Sequence, residues 1–353
     1  MASCGDFKTT YAEDIAVLRS KREWGITIIF LILTIVLPKL SGNGQLINFL
    51  NWVIVTYIVA LGLQFVTGYC GQISVCQFAF MGVGAYTSAI VTTKLGLSFW
   101  LAVPLAGVSA GIVGLVLGLP SARLKGFYLT VVTLSAQFII PWVIIHLPKK
   151  LTGGPYGLEA STPRLGNLKF ITPEQFYPIM VVFGTIMTLI AINLTRTRMG
   201  RAFVAIRDNE IAAEVMGINV NYYKLVAFFI SAFFAGVAGS LWAHNMRVIY
   251  PEFYNLTQSI WILGILVIGG LGSVSGTMMG TLFVRGFEEL VNTFTPSLAK
   301  AILPGVAGAQ FSSGLLMIVF GGLIAWFLIF EPRGLAHRWQ TFRTYWKMWP
   351  FSY

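Results

Sequence analysis

The chain has 353 residues, of which 56% are hydrophobic and 10% charged, with a net charge of +11 and a mean hydropathy of +0.76. A balance this apolar excludes an ordinary soluble domain and describes an all-α, multi-pass membrane protein. Nucleic acid is excluded as a partner: the basic residues cluster beside apolar stretches, where they face anionic membrane lipid, and no aromatic-interleaved basic patch occurs.

In chain order, residues 1–23 alternate acidic and basic side chains with no apolar core before a cleavage site, which reads as a membrane-surface helix and not as a signal peptide. Thr10 and Glu13 make a capping box, and Phe7, Tyr11, Ile15 and Leu18 trace one apolar stripe. Spans are predicted at 24–40, 46–67, 71–92, 99–119 and 127–147, then at 176–194, 223–242, 260–271, 276–294 and 314–330. Most approach the ~17 to 25 residues that cross hydrocarbon. About ten spans set both termini on one side, and fifteen of the 24 Lys and Arg residues fall on that side, which makes it cytoplasmic. Residues 336–353 form an aromatic, basic cytoplasmic tail.

Small residues recur every fourth position at Gly107 and Gly111, Gly114 and Gly118, and Gly272, Gly276 and Gly280, the spacing of close helix packing. The last set interrupts a span, so a hinge or pore lining is the alternative. Cys70 and Cys76 lie in apolar sequence without metal-ligand spacing and read as packing residues.

The stretch 68–86, GYCGQISVCQFAFMGVGAY, carries four glycines with Gln72, Ser74 and Gln77 inside a span. Polar backbone at membrane depth persists only when buried in protein or facing a water-filled cavity, so this is read as a broken helix beside a translocation path. In the second half, GGLGSVSG at 269–276 repeats the pattern with Gly269, Gly272, Ser273 and Ser275. Paired interruptions in two pseudo-repeated halves point to a binding or gating site. For any single residue the alternative is tight packing, with the glutamine bonded to a neighbour's backbone.

Residues 148–175 are too long for a simple connection and are predicted to fold over the outer mouth. Residues 196–222 are the most polar internal run, GRAFVAIRDNEIAAEVMGINV at its centre, with Arg196, Arg198, Arg201 and Arg207 leading in. Asp208 is the expected N-cap and Glu210 lies in the first turn of a short helix. Ala212, Val215 and Met216 share one face, and Gly217 supplies the left-handed stop. That small apolar face needs a receiver, either the bundle itself or another subunit.

No G-x-x-x-x-G-K-[ST] run occurs, so the chain does not cradle ATP phosphates and any energy comes from a partner. No HExxH, GxSxG or catalytic triad pattern stands out, and no cofactor or metal site is expected; His146, His244 and His337 sit singly near span ends. The rival to a partner-driven transporter is an ion-gradient-driven carrier or channel, because Arg285, Glu288 and Glu289 lie in or beside a span. Their spacing also lets Arg285 pair with a glutamate on its own helix.

Glu210, Ala212, Ala213 and Gly217, set in the run quoted above, resemble the coupling loop of bacterial ABC importer permeases, the LivM type of branched-chain amino acid permease in particular. The two Gly-rich interruptions, the TGG and GL wording of Thr152, Gly153, Gly154, Gly157 and Leu158, and EPRGL at 331–335 follow in the same order. The resemblance runs from about residue 48 to 335 and implies a transmembrane permease domain at 24–335 in a bacterial or archaeal inner membrane. It implies a second, LivH-like permease, two ATP-binding subunits that hold ATP and Mg, and a periplasmic binding protein received near Thr152 to Gly157. It further implies a small polar solute, a branched-chain or other amino acid, with ATPase coupling through Arg201 to Gly217.

Overall fold

The computed structural model describes residues 34, 44–122, 124, 126–165, 168–302 and 308–348. The expected surface helix 1–23, and the 24–40 span apart from Thr34, lie outside the described residues. From residue 44 the chain is helical almost throughout, because its apolar runs satisfy their backbone groups internally.

Helix α1 (Gly44–Leu63) runs on through a π-helical turn, Gln64–Tyr69. After a non-helical stretch at 71–76 come α2 (Gln77–Thr93), α3 (Phe99–Gly118) and α4 (Phe127–His146). A loop follows with the one-turn α5 (Lys149–Thr152) and the two-residue strands β1 (Leu158–Glu159), β2 (Arg164–Leu165) and β3 (Leu168–Lys169). Then come α6 (Pro173–Arg196), α7 (Arg198–Asp208), α8 (Glu210–Val215), α9 (Val220–Met246) and β4 (Val248–Ile249). The chain closes with α10 (Leu256–Gly269), α11 (Val274–Ile302), α12 (Gly308–Phe330) and α13 (Gly334–Met348).

Each predicted span from 46–67 onward contains one helix. Among the described residues, five helical stretches are long and apolar enough to cross a bilayer alone: α1 with its π turn, α3 with its 3-10 extension, α4, α6 and α9. The pairs α10 with α11 and α12 with α13 qualify only together, bent by 118° and 49° at their breaks. The span expected at 71–92 begins as helix only at Gln77, since the first six residues are not helical.

Helix α9 is the hub, buried along most of its length and packed on α1, α2 and α3. Glycine makes this possible. A Cβ on Gly84 of α2 would lie 2.3 Å from Gly236 of α9, and one on Gly239 would lie 2.0 Å from the Met81 carbonyl. The predicted seam of α3 is real: Cβ atoms at Gly107, Gly111 and Gly114 would meet Phe233, Phe229 and Ala232 within 2.7 Å. The set Gly272, Gly276 and Gly280 divides. Gly276 and Gly280 pack on Gly269, whereas Gly272 lies in the break and faces Arg207.

Candidate coupling and translocation site

The N-terminus of α2 lies inside the bundle, where its free N–H groups have no water to bond. Side chains of two other helices take them. Phe78 N donates to Ser259 Oγ at 3.1 Å and Ala79 N to Gln137 Oε1 at 3.2 Å, while Val75 N reaches Thr133 Oγ1 at 3.2 Å. Ser259 Oγ donates to the same Gln137 Oε1 at 2.9 Å, and Gln137 Nε2 donates to the Tyr254 carbonyl. The break is thus closed by protein on this side.

The polar residues of the break fare differently. Gln77 is fully buried and crosslinks three elements: Nε2 donates to the carbonyls of Val59 and Ser231 at 3.2 and 3.1 Å, and Ser231 Oγ returns a bond to Oε1. Ser74, 1% exposed, contacts Cys76 Sγ at 3.4 Å. Gln72 is partly exposed and lines a cleft of about 450 Å³ together with Gly71, Arg207, Asp208, Asn209 and Glu210. Cys70 and Cys76 are free and buried, in keeping with a packing role.

The two interruptions expected from sequence meet. Gln64, in the π turn, donates from Nε2 to the carbonyls of Gly270 and Ser273, each at 3.2 Å. A Cβ on Gly68 would lie 2.7 Å from the Gly272 nitrogen. Gly270 and Gly272 have φ of +110° and +80°, so the turn between α10 and α11 is open to glycine and strained for other residues. Gly269 packs on Gly276, while Ser273 Oγ caps α11 by accepting from Gly276 N at 3.1 Å and contacts Ser275 Oγ. EPRGL docks on the same turn: a Cβ on Gly334 would sit 2.5 Å from the Gly270 nitrogen.

Arg207, the penultimate residue of α7, reaches both interruptions. Its Nη1 donates to the Gly68 carbonyl at 3.1 Å and lies 2.9 Å from the Cβ position of Gly272, while its Cγ lies 2.9 Å from the Cβ position of Gly71. Asp208 holds the other edge of the guanidinium at 3.1 Å. The expected N-cap is therefore corrected: Asp208 ends α7, and Asn209, with extended backbone, caps α8 by accepting from Ala212 N at 3.0 Å. Arg201 is exposed, with Nη1 on the Arg196 carbonyl, while Ala202, Phe203 and Ile206 press α7 onto the bundle.

The face expected on α8, Ala212 with Val215 and Met216, is left exposed by the bundle. Ala213 is the buried residue, whereas Ala212, Ile211, Val215 and Met216 point away from the bundle, with Val215 and Met216 about 80% exposed. Gly217, φ +82°, terminates the helix as predicted, through Gly217 N on the Glu214 carbonyl and Ile218 N on that of Ala213. Glu210 anchors the helix from below: its carboxylate accepts from Lys224 Nζ at 2.8 Å, and that ammonium has no exposed surface.

At the opposite end of the bundle, Thr152, Gly153, Gly154 and Gly157 build a tight turn. Thr152 is buried, the three glycines have positive φ, and a Cβ on Gly153 would strike the Gly157 carbonyl at 1.8 Å. The turn is fastened by β1 pairing with β4, Leu158 opposite Ile249. It presents Tyr156, 83% exposed, which the sequence reading passed over. His244 ties the loop to the bundle through Ser161 O at 2.8 Å and Ser88 Oγ at 2.9 Å.

Arg285 is buried, pairs with Glu288 three residues on, and lies over the Trp52 ring at 4.5 Å. The local pairing allowed by the sequence spacing is the one found. Among the described residues no group of three His, Cys, Asp or Glu side chains could hold a metal.

Sequence comparison agrees with this geometry. Residues 45–328 match the family described as branched-chain amino acid transport system / permease component. The permease protein LivM of Escherichia coli is 31% identical over 329 residues, covering 86% of this chain and 73% of that protein. BraD of Pseudomonas aeruginosa, a high-affinity branched-chain amino acid transport system permease protein, is 25% identical and covers 83% and 95% of the two chains. The ribose import permease protein RbsC of Haemophilus influenzae is 24% identical, over 80% and 89%. No solved structure gives a significant match. The chain, a multi-pass membrane protein, belongs to the branched-chain amino acid transport system permease family.

Proposed function

We propose that the chain is one membrane subunit of an ATP-driven importer for a small polar solute, a branched-chain amino acid first among the candidates. Separate subunits bind ATP and Mg and a binding protein delivers the solute from outside. The observation that carries this reading is α8. Its exposed Ile211, Val215 and Met216 form an apolar knob with no partner among the described residues, on a helix too short to hold itself in water. It is braced instead by Glu210 on Lys224 and by Arg207 on Gly68. A braced apolar knob fits a groove in a motor subunit.

With α8 cytoplasmic, the turn around Gly153 and the exposed Tyr156 lie outside, positioned to receive the binding protein. Both termini are then cytoplasmic. In the assembled importer a second permease of similar build faces this one and two ATP-binding subunits sit beneath. Residues Gln72, Gly269, Gly272, Ser273 and Ser275 form the part of the path that moves when the motor closes, with Ser74 and Gln77 as the fixed wall behind it. Relatives named for ribose and for branched-chain amino acids share this scaffold, so solute choice rests largely on the binding protein. The test is copurification of the parent and Val215→Asp with the ATP-binding subunit: the parent retains it and the variant loses it. Equal retention by both would remove α8 as the docking element.

A further inference from the structure

Helix α13 is unlike the rest of the chain. It bends 49° from α12 and leaves Trp339, Phe342, Tyr345 and Trp346 each more than half exposed. Phe342 has its ring 6.1 Å from Trp339 and 6.2 Å from Trp346, so these three rings form one continuous stripe at helical spacing. Exposed Arg343 flanks it, Thr341 and Thr344 occupy the far side, and the helix sequence contains three cations and no acid.

Position argues for what covers the stripe. The helix starts four residues after Phe330, which with Ile329 is 65% and 73% exposed at the end of α12. The stripe therefore begins at the bilayer boundary, where Trp and Tyr rings are favoured, and its cations match the anionic charge of a cytoplasmic leaflet. Its root is fixed to the turn between α10 and α11. Ala336 Cβ lies 3.0 Å from the Cβ position of Gly276, Gly334 abuts Gly270, and Arg338 pairs with Glu331.

We propose that α13 is an anionic-lipid-binding arm, its aromatic stripe seated in the headgroup layer, which braces the turn at 269–276. The arm makes transport sensitive to the headgroup charge of the membrane. A partner protein on the same stripe is the alternative outcome.

The test uses the full chain, with its native thiols replaced, in lipid discs of phosphatidylcholine alone or with about one third phosphatidylglycerol. Spin labels are placed at Phe342→Cys and Thr344→Cys. The expected result is that the 342 label is relaxed by oxygen dissolved in lipid and the 344 label by a water-borne nickel chelate. Arg343→Gln should lower the lipid contact of the 342 label about fivefold in the anionic discs, the effect of one cation at a charged surface. In the reconstituted importer the phosphatidylglycerol-dependent rise in uptake should vanish with Phe342→Ser and Trp346→Ser together, while the detergent-solubilised assembly keeps its parent subunit content. Two labels equally open to the nickel chelate in anionic discs would overturn the proposal. So would loss of the ATP-binding subunit in detergent on the double substitution, which would assign the stripe to that protein.

Discussion

Arg207 donates to the carbonyl of Gly68 across 3.1 Å, although the two are 139 residues apart and Gly68 belongs to the first of two glycine interruptions. The same guanidinium fills the space beside Gly272 in the second. One side chain at the foot of α8 thus touches both breaks, and a displacement of α8 has a direct mechanical route to each.

Replacing Arg207 with Gln keeps a donor but shortens the reach. The guanidinium is over one third exposed, so water replaces part of what is lost and the cost is about 1 kcal/mol, or about fivefold in the coupled equilibrium. ATP hydrolysis should continue with uptake per ATP reduced by that order, and membrane level unchanged. Uptake and phosphate release measured on the same vesicles decide it; an unchanged ratio would contradict the role.

Lys224 and Glu210 test the brace. Removing the carboxylate with Glu210→Ala strands a fully buried ammonium, which costs about 3–5 kcal/mol. Lys224→Met combined with Glu210→Gln removes both charges and should recover most of the lost thermal stability. Additive losses in a double-mutant cycle would show that the pair does not act as one.

A third expectation separates the polar residues of the first break. In the resting protein a cysteine at Gln72, which lines the cleft beside Arg207, should react with a water-borne thiol reagent, whereas one at Gln77 should not. Reaction at 77 as fast as at 72 would mean that the wall formed with Val59 and Ser231 opens to solvent.

The close approach of α3 and α9 gives a fourth. Gly236→Leu forces a side chain into a gap where even a Cβ would lie 2.5 Å from the Ala106 carbonyl. The backbones of α3 and α9 have to move apart, which costs upwards of about 1–3 kcal/mol. Fluorescence-detected gel filtration should show loss of the monodisperse peak; a parent-like peak would disprove the packing.

Much of this was legible in the chain. The apolar runs located the helices, Gly217 marked the end of α8, and the four-residue glycine spacing of α3 marked its seam on α9. Both interruptions were visible because Gly, Ser and Gln stand out in hydrocarbon-spanning sequence. Their meeting was not, since Gln64 and Gly270 are 206 residues apart and pair only in the fold. Asp208 and Asn209 are both good caps; Asp208 is the last residue of α7 and is engaged by Arg207, and Asn209 takes the task. The face of Ala212, Val215 and Met216 on α8 was legible from its spacing, but which residue packs on the bundle was not, because six residues make too short a period: Ala213 turns in and Ala212 out.

The central claim is that exposed α8 receives the motor's stroke. It is tested most directly in vesicles holding the assembled importer, energised either by internal ATP or by a proton or sodium gradient, for the parent and for Val215→Asp. The account predicts parent uptake with ATP alone, none from a gradient alone, and loss of ATP-driven uptake in the variant without loss of the permease from the membrane. Gradient-driven uptake that needs no ATP and is unaffected by Val215→Asp would contradict it.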